Sequence, residues 1–374
     1  MNKRQSAALI EIDSKTSEEF SRLAQARSLI LAYGWNSTSY QIVNPGISHW
    51  FSAGKTAVAG FVSCSGVRVV VGAPICAESS LPEIVAEFES DAAQANERVC
   101  YLAAESRLET ICAEQSKYAK VLLGAQPVWQ PSEWKDIIAK HKSLRAQLNR
   151  ARNKSVKVTE WSKEKAMNNP LLVDCLQRWL EAKGLPSLHF MVEPNTLSSL
   201  FDRRIFVAEI NTEVAGFVLL SPVAQRNGWL FEQFVHKPGA PNGTVELMID
   251  AAMRALDEGG YEYATLGLAP LSTRAQVAPF RNPLWLRFLL AWMHLHGKRF
   301  YNFDGLDAFK AKLQPERWEP VFAISNEPHL SFRTIYAIAA AFSANKPFKL
   351  IFGGLSRALI TEIQRLKLKF HTSK

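Results

Sequence analysis

Two stretches of this 374-residue sequence combine residue types and spacings suited to chemistry. The first is His236–Glu246, HKPGAPNGTVE, between a predicted strand and a predicted helix. A Gly-rich turn in that position offers backbone N–H groups to a pyrophosphate at the helix N-terminus. Here Pro238 and Pro241 remove two donors, and Gly239 and Gly243 remain flexible. The helix terminus still attracts anions, but acyl-CoA suits it poorly; a rigid helix-entry turn is the plain alternative. Asn242 and Thr244 are placed to cap the helix in either case. The second stretch, Lys140–Lys157, carries Lys140, Lys142, Arg145, Arg150, Arg152, Lys154 and Lys157 with no Asp or Glu. Leu144, Leu148 and Ala151 recur at helical spacing, so one face can pack while the rest stays cationic. Such self-repulsion points to an anionic partner, phosphate first; a solvated inter-domain helix is the alternative.

Other constellations fail on spacing. His294 and His296 are two apart and face different sides of a helix, so no metal site is expected. Ser63, Cys64 and Ser65 lack a partnered His motif, which gives a hydrolase triad no support. Trp285, Phe288 and Trp292 fall at helical spacing and read as core. The five cysteines show no C-x-x-C pair and read as buried thiols in a reducing compartment.

The elements that must position these groups follow a regular order. Thr16 or Ser17 is placed to cap a helix to about Tyr33, ended by Gly34. Strands are predicted at Trp50–Phe51, Ala57–Cys64 and Val67–Val71, then a helix at Pro82–Asn96 and strands at Val99–Ala103 and Val121–Gly124. Beyond the basic stretch come a helix at Pro170–Lys183, ended by Gly184, and antiparallel strands at Ile205–Ile210, Val214–Leu220 and Trp229–Val235. A helix at Thr244–Glu258, a strand at Glu262–Leu266, an aromatic helix at Pro283–His296 and a sheet-closing strand at Trp318–Ile324 complete the order. Val58-Ala59-Gly60-Phe61-Val62 recurs as Val214-Ala215-Gly216-Phe217-Val218, each in the second strand of a hairpin, which favours an internal duplication.

Composition is that of a globular α+β protein, with 47% hydrophobic and 21% charged residues and a length that suits two domains. The net charge of +9 suggests nucleic acid or an acidic membrane surface as partner. No signal-peptide core and no apolar run of roughly 18 residues is present, so the expected location is cytoplasmic or on the cytosolic side of a membrane.

Several ordered blocks carry a family resemblance. Leu144-Arg145 with Asn149-Arg150-Ala151-Arg152, the loop Lys237–Gly243 with Glu246, and Leu266–Ser272 are three of them. Gly305-Leu306, Phe309-Lys310, Lys312, Pro315 and Trp318-Glu319-Pro320 form a fourth. Tyr33-Gly34, Ser37, Ser39-Tyr40 and Gly72–Ile75 form a fifth. Together the sequence resembles the lysylphosphatidylglycerol synthase family (multiple peptide resistance factor, C-terminal domain), associated with antimicrobial peptide resistance.

The resemblance implies two tandem acetyltransferase-like domains, at 1–135 and 159–328, bridged by a basic helix at 136–158 and followed by a tail at 329–374. It implies transfer of an amino acid from aminoacyl-tRNA, as co-substrate and without another cofactor, to a hydroxyl of a lipid such as phosphatidylglycerol. Glu232, where the family commonly has Asp, and Lys310 become candidate catalytic residues; the first would hold the amino group or accept the attacking proton. Pro241, Asn242, Gly243, Thr244, Glu246, Gly267, Ala269, Pro270, Ser272, Lys312 and Trp318 become candidate substrate-binding residues. Lys142, Arg145, Arg150, Arg152 and Lys154 become candidate tRNA contacts, and DNA is not expected as a partner. Transfer to a peptide or small acceptor, N-acetylation from acyl-CoA and a silent binding module remain as alternatives.

The sequence also departs from the family pattern. Ser155 replaces the usual Gly after the basic helix, and Val235 and Val321 stand where Arg is common, leaving the amino acid and lipid open. The flippase region of longer members is absent from the sequence, so this chain is not expected to flip a product. The segment 346–370 alternates cations with an apolar stripe and suits an in-plane helix on an anionic leaflet, a peripheral membrane contact. Packing across the two halves or between subunits is the other use of such a helix.

Overall fold

In the computed structural model, residues 3–113, 115–183, 188–275 and 303–343 are described. The helix end expected at Gly184, the aromatic helix at Pro283–His296 and the tail at 346–370 lie outside them.

The first half runs α1 (Lys3–Tyr33), β1 (Ser48–Phe51), β2 (Val58–Cys64), β3 (Val67–Val71), α2 (Leu81–Gln94), β4 (Arg98–Ala104), α3 (Ser106–Cys112) and β5 (Ala119–Trp129). α1 stops at Gly34, whose N–H reaches the Ile30 carbonyl at 2.7 Å. It begins well before Thr16 and Ser17, which are interior rather than capping residues. Residues 3–15 hold mostly good helix formers and no Gly or Pro, so nothing stops the helix extending upstream.

α4 (Trp134–Lys140) and α5 (Lys142–Arg152) follow, then β6 (Lys157–Trp161), α6 (Lys163–Ala166) and α7 (Pro170–Lys183). The basic stretch is therefore not one helix. His141 breaks it with extended backbone, φ −105° and ψ 97°. Ser155 takes the left-handed conformation, φ 59°, for which Gly is suited, and β6 begins two residues later.

The second half continues with β7 (Arg204–Ile210), β8 (Glu213–Val223), β9 (Gly228–His236), α8 (Thr244–Glu258), β10 (Tyr263–Thr265) and the short β11 (Ala269–Pro270). α9 (Phe303–Lys312), β12 (Arg317–Ser325) and α10 (Phe332–Phe342) complete the described elements.

The twelve strands among the described residues join one mixed sheet in the order β1-β2-β3-β4-β12-β5-β10-β9-β8-β7-β6, with β11 beside β5. The duplicated pentapeptide sits in β2 and β8, and its surroundings repeat as well. In each half two antiparallel pairings (β1-β2-β3; β7-β8-β9) lead through a crossover helix (α2; α8) into a parallel fourth strand (β4; β10). The fold is α+β and acetyltransferase-like.

β12 does not close an edge of the sheet, as its sequence suggests. It lies at the centre, antiparallel to β4 and to β5, while β5 of the first half pairs with β10 of the second. Each half thus places a strand inside the other's part of the sheet. α1 and α10 pack on one face of the first half, and α2 and α3 on the other. In the second half α4, α5 and α8 share one core and α7 covers the opposite face.

The crossing is tight at Gly124. With φ at 152°, a Cβ there would stand 2.2 Å from the Ala269 carbonyl oxygen of β11. Gly124→Ala should therefore destabilise the protein by about 1–3 kcal/mol through backbone overlap, read as a fall in the urea midpoint. An unchanged midpoint would show that β11 can move away at no cost.

Candidate functional site

The loop after β9 enters α8 through Gly243, whose left-handed φ of 94° makes the corner. A Cβ at Gly243 would lie 2.1 Å from the Gln147 carbonyl oxygen, so the α5 backbone rests directly on the loop. Thr244 donates its hydroxyl to the Pro241 carbonyl at 2.7 Å and stiffens the turn. Glu246, in the first turn of α8, suits the positive end of the helix dipole and receives Lys312 Nζ at 2.5 Å.

α9 gathers the remaining segments. Lys310 is 3% exposed, and its Nζ donates to the carbonyls of Leu266, Gly267 and Leu268, each at 2.8 Å. Those bonds use all three hydrogens of an ammonium and fix the strand exit before β11. Burial opposes the charge and pushes the lysine down to about 7, with Asp307 as a partly offsetting anion. Asp307 accepts from the Ser272 hydroxyl at 2.6 Å and from Arg274 Nε at 2.8 Å. The Arg274 guanidinium lies 5.3 Å from the centre of the Trp318 ring. Three side chains of one helix thus tie together the α8 entry, the 266–272 segment and, through Arg274, β12.

Glu232 stands elsewhere on this framework. It is neither exposed nor beside a lysine; its carboxylate receives Arg203 Nε at 2.8 Å and Nη2 at 3.0 Å. Both side chains are almost fully buried, and Arg203 also bonds Asn44 Oδ1 and the Ser199 carbonyl. A carboxylate with both oxygens in a buried fork is poorly placed to take a proton or to receive an ammonium. Along β9 it is two residues from Leu230, whose Cδ1 would be 3.1 Å from a Cβ at Gly267.

The basic residues divide. Arg145 Nη1 bonds the Ile138 carbonyl at 2.9 Å and also the Ala139 carbonyl, satisfying the C-terminus of α4. Arg152 pairs with Asp250 of α8 at 2.9 Å. Lys142, Arg150 and Lys154 are exposed and have no ion-pair partner among the described residues. The apolar stripe Leu144, Leu148 and Ala151 is buried against α8, as its spacing predicts.

The charge run could not distinguish these groups, because the carbonyls of α4 and Asp250 become neighbours only in the fold. Val235 and Val321 are buried, Val235 in the core beneath α7 and Val321 paired in register with Gly124. Among the described residues no group of three metal-ligating side chains occurs, and no helix is long and apolar enough to cross a membrane.

Sequence reasoning missed a second polar cluster, at the seam between the halves. Arg226 grips Glu319 with both terminal nitrogens, at 2.8 and 2.6 Å, and reaches Glu105 at 3.2 Å. Ser37 donates its N–H to Glu105 and its hydroxyl to Gln126. Burial raises the Glu105 carboxyl, against the pull of Arg226. Ser37 and Glu319 lie in quoted sequence blocks, so part of this cluster was visible; Arg226 and Glu105 lie in no motif.

The fold and the α9-centred site define an acetyltransferase-like protein built from two related halves. Residues 27–325 match the family described as phosphatidylglycerol lysyltransferase, C-terminal, and the chain belongs to that family. It is similar to the C-terminal domain of a putative lysylphosphatidylglycerol synthetase from Agrobacterium fabrum: 21% identity, 86% of this chain and 97% of that one, TM-score 0.71. L-PGS from Bacillus licheniformis is similar at 20% identity, 85% and 95% coverage and a TM-score of 0.69. FemX shares the fold at 8% identity, 84% and 98% coverage and a TM-score of 0.51. No curated protein matches the sequence.

Two outcomes test the site. Glu232→Gln leaves Arg203 buried without its counter-charge and should cost about 3–5 kcal/mol, while the double change Arg203→Met, Glu232→Leu should recover much of it. Urea denaturation of both variants reads the difference; an equally stable Glu232→Gln would show that the fork does not hold the fold. For Lys310, the unfolded chain keeps its proton above pH 7 while the folded chain sheds it. Stability relative to Lys310→Met should therefore rise with pH from about 7 to 9, by up to about 1.4 kcal/mol per unit. Parallel pH curves for the two proteins would contradict this.

Proposed function

We propose that the protein transfers an amino acid from aminoacyl-tRNA to a hydroxyl of an anionic lipid such as phosphatidylglycerol. Membership of a lipid aminoacyltransferase family supports transfer to a lipid. The observation that carries the reading furthest is the convergence of the signature loop, the 266–272 segment and β12 on α9.

The donor ester is already activated, so the chemistry is transesterification. The lipid hydroxyl adds to the ester carbonyl; the tetrahedral intermediate then expels the terminal ribose oxygen. One proton passes from the attacking hydroxyl to the leaving oxygen, and neither a covalent enzyme intermediate nor another cofactor is required. The protein must orient two substrates, stabilise an oxyanion and guide that proton.

In this reading Lys310 keeps its candidate place in the catalytic centre by shaping the 266–268 backbone. Ser272 and Asp307 supply a hydroxyl–carboxylate pair beside it. Glu232 acts through Arg203 as a positioning residue rather than as a base. The contact between the α5 backbone and Gly243 disfavours acyl-CoA, because the loop cannot open toward α5 for a pyrophosphate.

The exposed cations Lys142 and Arg150 of α5, with Lys154 in the turn after it, are the tRNA-facing part of this stretch, while Arg145 and Arg152 hold the helix in place. The protein would then work at the inner face of the membrane, with the segment 346–370, outside the described residues, as a peripheral contact.

Replacing Lys142, Arg150 and Lys154 with Glu should weaken tRNA binding at least about tenfold and lower the slope of log affinity against log salt by about 2–3. Filter binding across a salt series and transfer of labelled amino acid to extracted lipid would measure both effects. Wild-type binding and transfer by the triple variant would leave α5 a linker and remove the tRNA reading of this face.

A further inference from the structure

Exposed large apolar side chains gather where the two halves meet. Phe20 and Leu31 of α1, and Leu188, Val192 and Phe201 of the chain between α7 and β7, are 39–65% exposed. Phe20, Ala24, Arg27 and Leu31 recur at i, i+4, i+7 and i+11 and share one stripe of α1. Phe201 joins that stripe, because the Arg27 guanidinium lies 4.4 Å from the centre of its ring and forks onto neighbouring Asp202. Leu188 and Val192 join it through Phe190, which is buried with Ala26 and Ile30 of α1 and Ala337 and Ala341 of α10. Phe190 takes a left-handed backbone, φ 67°, uncommon for so bulky a residue. A contiguous apolar patch of this kind marks a contact surface.

The course of the chain beyond α10 identifies what meets the patch. α10 ends at its edge: the Phe342 ring meets Phe190 edge-on at 5.6 Å, and the Phe342 carbonyl accepts the His189 N–H at 3.0 Å. Three residue steps, at most about 11 Å, separate Ser343 from the start of the segment 346–370. That segment carries Lys349, Arg357, Arg365, Lys367 and Lys369 against Glu362. Charges around the patch nearly balance, with Arg22, Arg27 and Arg333 against Glu18, Glu19 and Asp202. The patch therefore offers apolar contact, and the segment beside it offers attraction to anionic headgroups.

This surface also leaves the α5 cations accessible. β4 and β10 run in opposite directions, separated by three antiparallel pairings. A right-handed crossover into each puts α2 and α8 on the same side of the sheet. α5 packs with α8, whereas α1 and α10 lie across the sheet from α2.

We propose that the outer stripe of α1, together with Leu188, Val192 and Phe201, is a membrane-docking face that seats on an anionic leaflet beside the segment 346–370. It rests on the lipid acceptor proposed above and specifies which side of the protein meets the bilayer. The apolar side chains enter the acyl boundary, while Arg22 and Arg27 stay at headgroup level.

The test uses the full chain, the double variant Val192→Asp, Phe201→Asp and the single variant Phe20→Asp, with Ala86→Asp on the exposed side of α2 as control. Cosedimentation with phosphatidylcholine vesicles containing phosphatidylglycerol is measured at low and high salt, and thermal melts check folding. We expect vesicle binding to weaken at least about tenfold in the double variant at both salt levels, to weaken in Phe20→Asp and to be unchanged in the control. Filter binding of tRNA should stay at the wild-type level. The KM for phosphatidylglycerol in vesicles should rise at least about tenfold in the double variant, while the KM for a short-chain phosphatidylglycerol dissolved as monomers stays unchanged.

Wild-type vesicle binding by both patch variants, or no vesicle binding by the wild type, overturns the inference. Self-association that the variants abolish while vesicle binding persists also overturns it and makes the patch a contact between copies. Tighter vesicle binding by the variants overturns it too, assigning the patch to the segment 346–370 of the same chain. Patch-dependent vesicle binding without any aminoacyl transfer sinks the proposed reaction and leaves the docking face; transfer to vesicle lipid with an unchanged KM in the variants does the reverse.

Discussion

The position of β12 between β4 and β5 is the constraint on which the rest of the structure depends. A central strand must satisfy hydrogen bonds on both edges, and β12 does so with two strands from the first half. This places Trp318 and Glu319 at the junction of the halves. Trp318 meets Arg274 of the α9-centred site, while Glu319 meets Arg226 of the seam. The two polar clusters are thus anchored by neighbouring residues of one strand, and a shift of β12 along its partners would disturb both.

Buried ion pairs mark where the halves are fixed together. Arg203 and Glu232 lie in the second half, but the guanidinium also binds Asn44 of the first. Arg27 of α1 forks onto Asp202, which also receives the Tyr40 hydroxyl. Arg226 likewise reaches Glu105 just beyond β4. Such groups contribute little net stability over apolar packing, yet each strongly opposes an arrangement that would strand it without its partner. Their effect here is to define one relative placement of the halves.

Local pattern made much of this legible. The bounds of α7 and α8 follow from their apolar periodicity and terminal residues, and the repeated pentapeptide located equivalent strands in both halves. β6 was missed because its charged residues alternate weakly and it is a mostly exposed edge strand. The central place of β12 was hidden because its register partners are distant in sequence, Cys100 facing Ser325. At the candidate site, the blocks naming Lys310, Ser272 and Glu246 were visible, but the connections among them were not. Asp307 joins Ser272 to Arg274 only when α9 packs beneath them. Arg203 lay in a stretch with no periodic signal, so nothing in the sequence announced that Glu232 already had a partner.

The exchange of strands also governs the order in which the chain can mature during synthesis. When β4 emerges from the ribosome, its free edge has no partner until Arg317–Ser325 has been made. Until then the nascent first half exposes an open strand edge flanked by the apolar residues that later meet Phe322 and Ile324. Contacts of such long sequence separation form late and slowly. A chaperone that shields this edge during translation would act on a gap that the first half does not fill from its own described residues.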